Sequence, residues 1–143
     1  MLGPLIVGTV LGAGLAVLAS RRPAESRMRL LAVGLGITAL LYVLMAVLGG
    51  ANAHWLAVEF AGLLPFGALA WLGRRDAPIW LALGWAGHVV WDVGLHGGPG
   101  TEFVPAWYLP FCVGFDLIVG GYALGLALAP AAMRGESAGP TTH

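Results

Sequence analysis

Charge is scarce in this chain. Of its 143 residues only 10% are Asp, Glu, Lys or Arg, and lysine is absent: all seven basic residues are arginines. Soluble domains carry about 25% charged residues, so a water-soluble globule is excluded. Formal net charge is zero and no basic stretch is present, which excludes a nucleic-acid partner. A single cysteine, Cys112, excludes an internal disulfide. The opening MLGPLIVGTVLGAG lacks the basic start of a cleaved signal peptide and reads as a first spanning helix. Internal repeats are absent as well.

What is present is apolar: 59% hydrophobic residues and a mean hydropathy of +0.85. About 20 such residues cross a bilayer as a helix. Five stretches approach that length: 2–20, 30–48, 53–72, 78–96 and 104–132. They end at Arg21-Arg22-Pro23, Gly49-Gly50, Gly73-Arg74-Arg75 and Gly97-Gly98-Pro99, and Pro105 suits a first helical turn. The expected fold is all-α: a polytopic bundle of five transmembrane helices over residues 1–134, followed by a disordered tail over 135–143.

Short loops force neighbouring spans to run antiparallel. Arg21, Arg22, Arg27, Arg29, Arg74, Arg75 and Arg134 then fall on one side, which the positive-inside rule makes cytoplasmic. The N-terminus is outside, the C-terminus is cytoplasmic, and the expected location is a bacterial inner membrane. Trp55, Trp107 and Tyr108 mark the outer boundary, Trp71 and Trp80 the inner one. Gly8-x-x-x-Gly12 and Gly121-x-x-x-Gly125 allow close helix contact, within the bundle or in a homo-oligomer.

Polar groups inside such helices are costly and mark function. The stretch GWAGHVVWDVGLHGG, residues 84–98, holds His88, Asp92 and His96 at spacings of four, one drifting helical stripe. His88 and His96 lie about 12 Å apart along the axis, too far to share one ion in a regular helix. The fifth span has a matching stripe, Tyr108, Cys112 and Asp116. In an antiparallel hairpin centred on Glu102, His88 lies level with Asp116, Asp92 with Cys112 and His96 with Tyr108. The third span adds His54 near the outer surface and Glu59, expected close to the level of Asp92 and His88. Tyr42 and Tyr122 read as packing residues.

Three carboxylates at one depth repel one another, and no arginine or lysine lies inside the spans to neutralise them. Protons or a metal must do so. The candidate metal ligands are His88, Asp92, Asp116, His96 and His54, a set that suits zinc, manganese or iron. Glu59 or Asp92 is the candidate general base toward a metal-bound water. Trp85, Trp91, Tyr108 and Cys112 are the candidate walls of an outward-opening pocket for a membrane lipid or lipid-like substrate. Two other readings use the same residues: a protein that binds or conducts a proton, metal ion or small molecule, and a structural subunit held together by polar contacts.

The pattern Gly84-Trp85-x-x-His88-x-x-Trp91-Asp92-x-x-x-His96, followed by Cys112-x-x-x-Asp116, resembles a family of small bacterial integral membrane proteins of unknown function. Its members usually carry two adjacent histidines where this chain has Leu95 and His96. A looser pattern is His88-x-x-x-Asp92, a glycine-rich turn, and Val104-Pro105-Ala106-Trp107-Tyr108-Leu109-Pro110-Phe111. It is similar to the membrane-bound metal-dependent hydrolases, which implies metal-ligand roles for His88 and Asp92.

Overall fold

The computed structural model describes residues 1–129. Five helices follow one another: α1 (Leu2–Ser20), α2 (Ala24–Leu48), α3 (Ala53–Arg75), α4 (Pro78–His96) and α5 (Tyr108–Leu128). Pro78 starts α4, where a missing N–H costs nothing. The Asn52 side chain accepts the Trp55 N–H at 3.1 Å and caps α3. Gly50, at φ +68°, makes the tight α2–α3 turn.

Three boundaries differ from those expected. α2 begins at Ala24 rather than at residue 30, because Glu25 and Arg29 pair at 3.0 Å one turn apart and extend the helix through its polar start. α3 runs on to Arg75, whose charge suits a helix C-terminus. α5 begins at Tyr108, not at residue 104. Val104 donates its N–H to the Thr101 carbonyl and Tyr108 to the Pro105 carbonyl, so Pro105 belongs to a turn that precedes the helix. The expected span end at 130–132, Arg134 and the tail 135–143 lie outside the described residues.

Around the bundle the helices neighbour one another in the order α1, α5, α4, α3, α2. α1 packs chiefly on α5, although α2 follows it in sequence. Glycines permit this: a Cβ on Gly8 would run into the Phe111 carbonyl, and one on Gly114 into the Leu5 carbonyl. The first Gly-x-x-x-Gly face is therefore used inside the bundle. Gly121 and Gly125 face open space.

Leu31, Leu35, Leu81, Trp85, Val119 and Ala123 form the apolar core. Trp85 is fully buried, its ring against Gly34. The surface reverses the pattern of a soluble protein: Leu64 is 75% exposed and Val90 72%, whereas His88, Asp92 and Asp116 are 0% exposed. α1, α2, α3 and α5 are long and apolar enough to cross a membrane, which fits a multi-pass membrane protein. α4 carries the polar stripe, which lowers its hydropathy, and is not among those four.

Candidate functional site

α4 supplies the central stripe. Its turn of about 100° per residue brings His88, Asp92 and His96 onto one inward face. α5 presents Asp116 opposite His88, with His88 Nδ1 and Asp116 Oδ2 2.7 Å apart. The same Nδ1 lies 3.4 Å from Asp92 Oδ1. Ligand atoms from His88, Asp92 and Asp116 all fall within 4.8 Å of one another, a geometry that could hold a metal ion. His88 Nε2, Asp116 Oδ1 and both oxygens of Asp92 are buried with no hydrogen-bond partner among the described residues. Leaving such atoms unpaired costs roughly 1–3 kcal/mol each, more when charged.

Glu59 and His96 form a second station. Glu59 Oε1 and His96 Nε2 lie 2.7 Å apart, both side chains at most 1% exposed. Glu59 and His96 thus satisfy one another across this contact, apart from the three-residue cluster. Glu59 therefore does not sit beside Asp92 at the expected level; it is level with His96, at the α4 C-terminus. Thr101 Oγ1 steadies that end, lying 2.8 Å from the Gly98 carbonyl and 3.3 Å from the His96 carbonyl.

Tyr42 joins the two stations, and the sequence reading had left it among packing residues. Its ring stacks on His96 at 4.2 Å between centroids and lies 5.7 Å from His88. Its hydroxyl is buried with no well-formed hydrogen bond among the described residues, within electrostatic reach of Asp92. The Phe66 ring closes over His88 from α3, centroids 5.1 Å apart.

The remaining expected residues divide as follows. His54 is exposed beside Trp55 and is not brought to the three-residue cluster. His96 is held by Glu59, because α4 stays helical to its end and keeps His96 two turns above His88. Trp85 and Trp91 do not wall an outward pocket: Trp85 is core, and Trp91 lies in the notch over Gly62. Tyr108 and Cys112 are buried in a cluster with Tyr42 and Val104. Glu102, on the loop before α5, is exposed. Its own backbone N–H and that of Gly100 hold its carboxyl below the ordinary carboxylate value.

Residues 3–130 match the model of a family described as a family of unknown function (DUF6010), and the chain belongs to that family. No curated protein and no solved structure matches the chain. The family match covers far more than the residues 84–116 that first suggested a kinship. Neither comparison shows a likeness to metal-dependent hydrolases.

Proposed function

We propose that the protein is a five-span protein of the bacterial inner membrane whose His88, Asp92 and Asp116 hold a divalent metal, and that this centre is hydrolase-like, acting on a lipid-like substrate. One observation carries the metal reading. An imidazole and two carboxyl groups, all buried and within 4.8 Å of one another, leave several polar atoms with no partner among the described residues. A divalent cation held by the three would occupy those lone pairs and compensate the carboxylates that ligate it. Imidazole with carboxylates suits zinc, manganese or iron. Three protein ligands leave a position for water, whose pKa such metals lower toward 7.

The topology has its own support. α4 has 19 residues, about 28 Å of helix, close to the roughly 30 Å hydrocarbon thickness. Arg21 and Arg22 follow α1, and Arg74 and Arg75 end α3, and the positive-inside rule applied to them supports an N-terminus outside. Asp116 is eight residues into α5, about 12 Å from its outer end and near mid-membrane.

The test is elemental analysis of the purified full chain in detergent, alongside His88→Ala and Asp116→Ala. Stoichiometric metal in the wild type, lost in both variants, supports the centre. Metal-free wild type with melting indifferent to chelator overturns it. Metal-dependent hydrolysis of a fatty-acyl ester in mixed micelles tests the enzymatic part. A second reading, a proton or ion path, is favoured by Tyr42, which links the two stations. Metal-free protein whose proteoliposomes acidify, and do so less with Tyr42→Phe, supports that reading instead.

A further inference from the structure

An apolar groove of about 310 Å³ runs along the outer seam of α4 and α5. Its walls are Ile79 and Leu83 from α4 and Leu117 and Leu124 from α5, between 37% and 58% exposed. Its floor includes Gly120 and Gly121. Its upper end is Asp116, which is completely buried and whose Oδ1 has no partner among the described residues. One residue of the candidate centre thus meets a face that opens sideways, away from the loops.

We propose that this groove is an acyl-chain site: it takes the hydrocarbon of one single-chain fatty amphiphile, with the amphiphile's polar end at Asp116. The inference rests on the reading of His88, Asp92 and Asp116 as the functional centre, and it names the substrate class. From Asp116 to Leu124 the groove is about 12 Å long, most of the depth of one leaflet. Its walls are 37% to 58% exposed, so the groove is open along one side, where an extended hydrocarbon chain can lie along its length. The lining is apolar except at one end, where an unpartnered carboxylate oxygen calls for a donor or a bound cation. A polar head at Asp116 and a tail toward Leu124 satisfy both ends. An ordinary lipid of the leaflet that flanks the groove has the reverse polarity, with its head at the surface and its methyl end at mid-membrane.

Gly121 offers a clean test, because a Cβ there meets nothing within 4 Å, so Gly121→Leu fills the groove without disturbing the packing. Gly125→Leu is the control, equally open and outside the lining. The probes are two photoreactive hexadecanols, whose hydroxyl supplies the donor, one with the diazirine near the hydroxyl and one near the methyl end, applied to the full chain in nanodiscs. The first is expected to label Leu117 and the second Ile79 or Leu124, both competed by unlabelled hexadecanol. Leucine at 121 excludes about two methylenes, so labelling falls roughly tenfold in Gly121→Leu and stays unchanged in Gly125→Leu. Reversed label positions, or labelling spread over α1 and α2, show boundary lipid only and overturn the proposal. Labelling unaffected by Gly121→Leu, with a change from dimer to monomer by light scattering, assigns the groove to a second copy and also overturns it. Metal content is measured on the same samples. Specific labelling of metal-free protein sinks the metal centre and keeps the groove, whereas metal without specific labelling does the reverse.

Discussion

The Glu59–His96 pair lends itself to a quantitative prediction. Each side chain is at most 1% exposed, and the contact is 2.7 Å. Removing one partner of a buried pair costs about 3–5 kcal/mol, because the survivor keeps its desolvation cost and loses its compensation. Glu59→Leu leaves a buried imidazole without its partner; His96→Leu strands a carboxyl group, the costlier group to bury alone, and should cost more. Removing both partners removes both desolvation costs, and such replacements range from neutral to stabilising. The double variant should therefore be more stable than either single variant, by at least about 2 kcal/mol. Equilibrium unfolding in mixed micelles, run as a double-mutant cycle, measures this directly. A double variant as unstable as the two single changes added together would mean that the groups do not interact and that the two stations are wrongly drawn. The metal measurement adds a second arm. Because neither residue belongs to the three-residue cluster, the double variant should bind metal like the wild type.

Further expectations concern packing, topology and the centre. Gly8→Leu should prevent α1 from docking on α5, since even a Cβ there meets the Phe111 carbonyl; Gly94→Ala, with nothing nearby, should be silent in the same thermal melt. Trp85→Ala should cost about 3–5 kcal/mol of stability, because it empties the middle of the core cluster of Leu31, Leu35, Leu81 and Val119. A cysteine introduced at Glu102 in a Cys112→Ala background should react with an impermeant maleimide added from outside; reaction only from the cytoplasm refutes the orientation. Metal held at 100 times its dissociation constant should add about 2.7 kcal/mol, so chelator should lower the melting temperature of wild type and leave Asp116→Ala unmoved.

Much of the fold follows from hydropathy and punctuation, which is why α1 and α4 have the expected bounds. Polar or turn-forming flanks blurred the rest, since an Arg or Glu one turn beyond an apolar run can still be helical. His88 and Asp116 were legible together because two stripes of period four meet across a single hairpin. The Glu59–His96 pair was legible by the same logic but from the other hairpin: Glu59 lies about 17 residues before the Asp76–Ala77 turn and His96 about 19 after it, nearly equal depths. Depth measured from the outer surface alone had placed Glu59 a turn too low. Tyr42 was not legible, because α2 and α4 are not consecutive and no hairpin fixes their register. Its signal was weak: apart from Thr38, it is the only side chain with a polar atom in the 30–48 run.

The docking of α1 onto α5 also has a consequence in time. Ser20 ends α1, and Tyr108 begins the helix that receives it. At about 5–20 residues per second the ribosome needs on the order of ten seconds to bridge that interval. α1 therefore waits in the bilayer for α5, its Gly8 and Gly12 notch uncovered. Only when α5 arrives does the ring of helices close, and in the same step Asp116 reaches His88. Assembly of the centre and closure of the bundle are one event. An interrupted chain holds His88 and Asp92 but lacks Asp116, so the three-residue cluster stays incomplete until α5 is made.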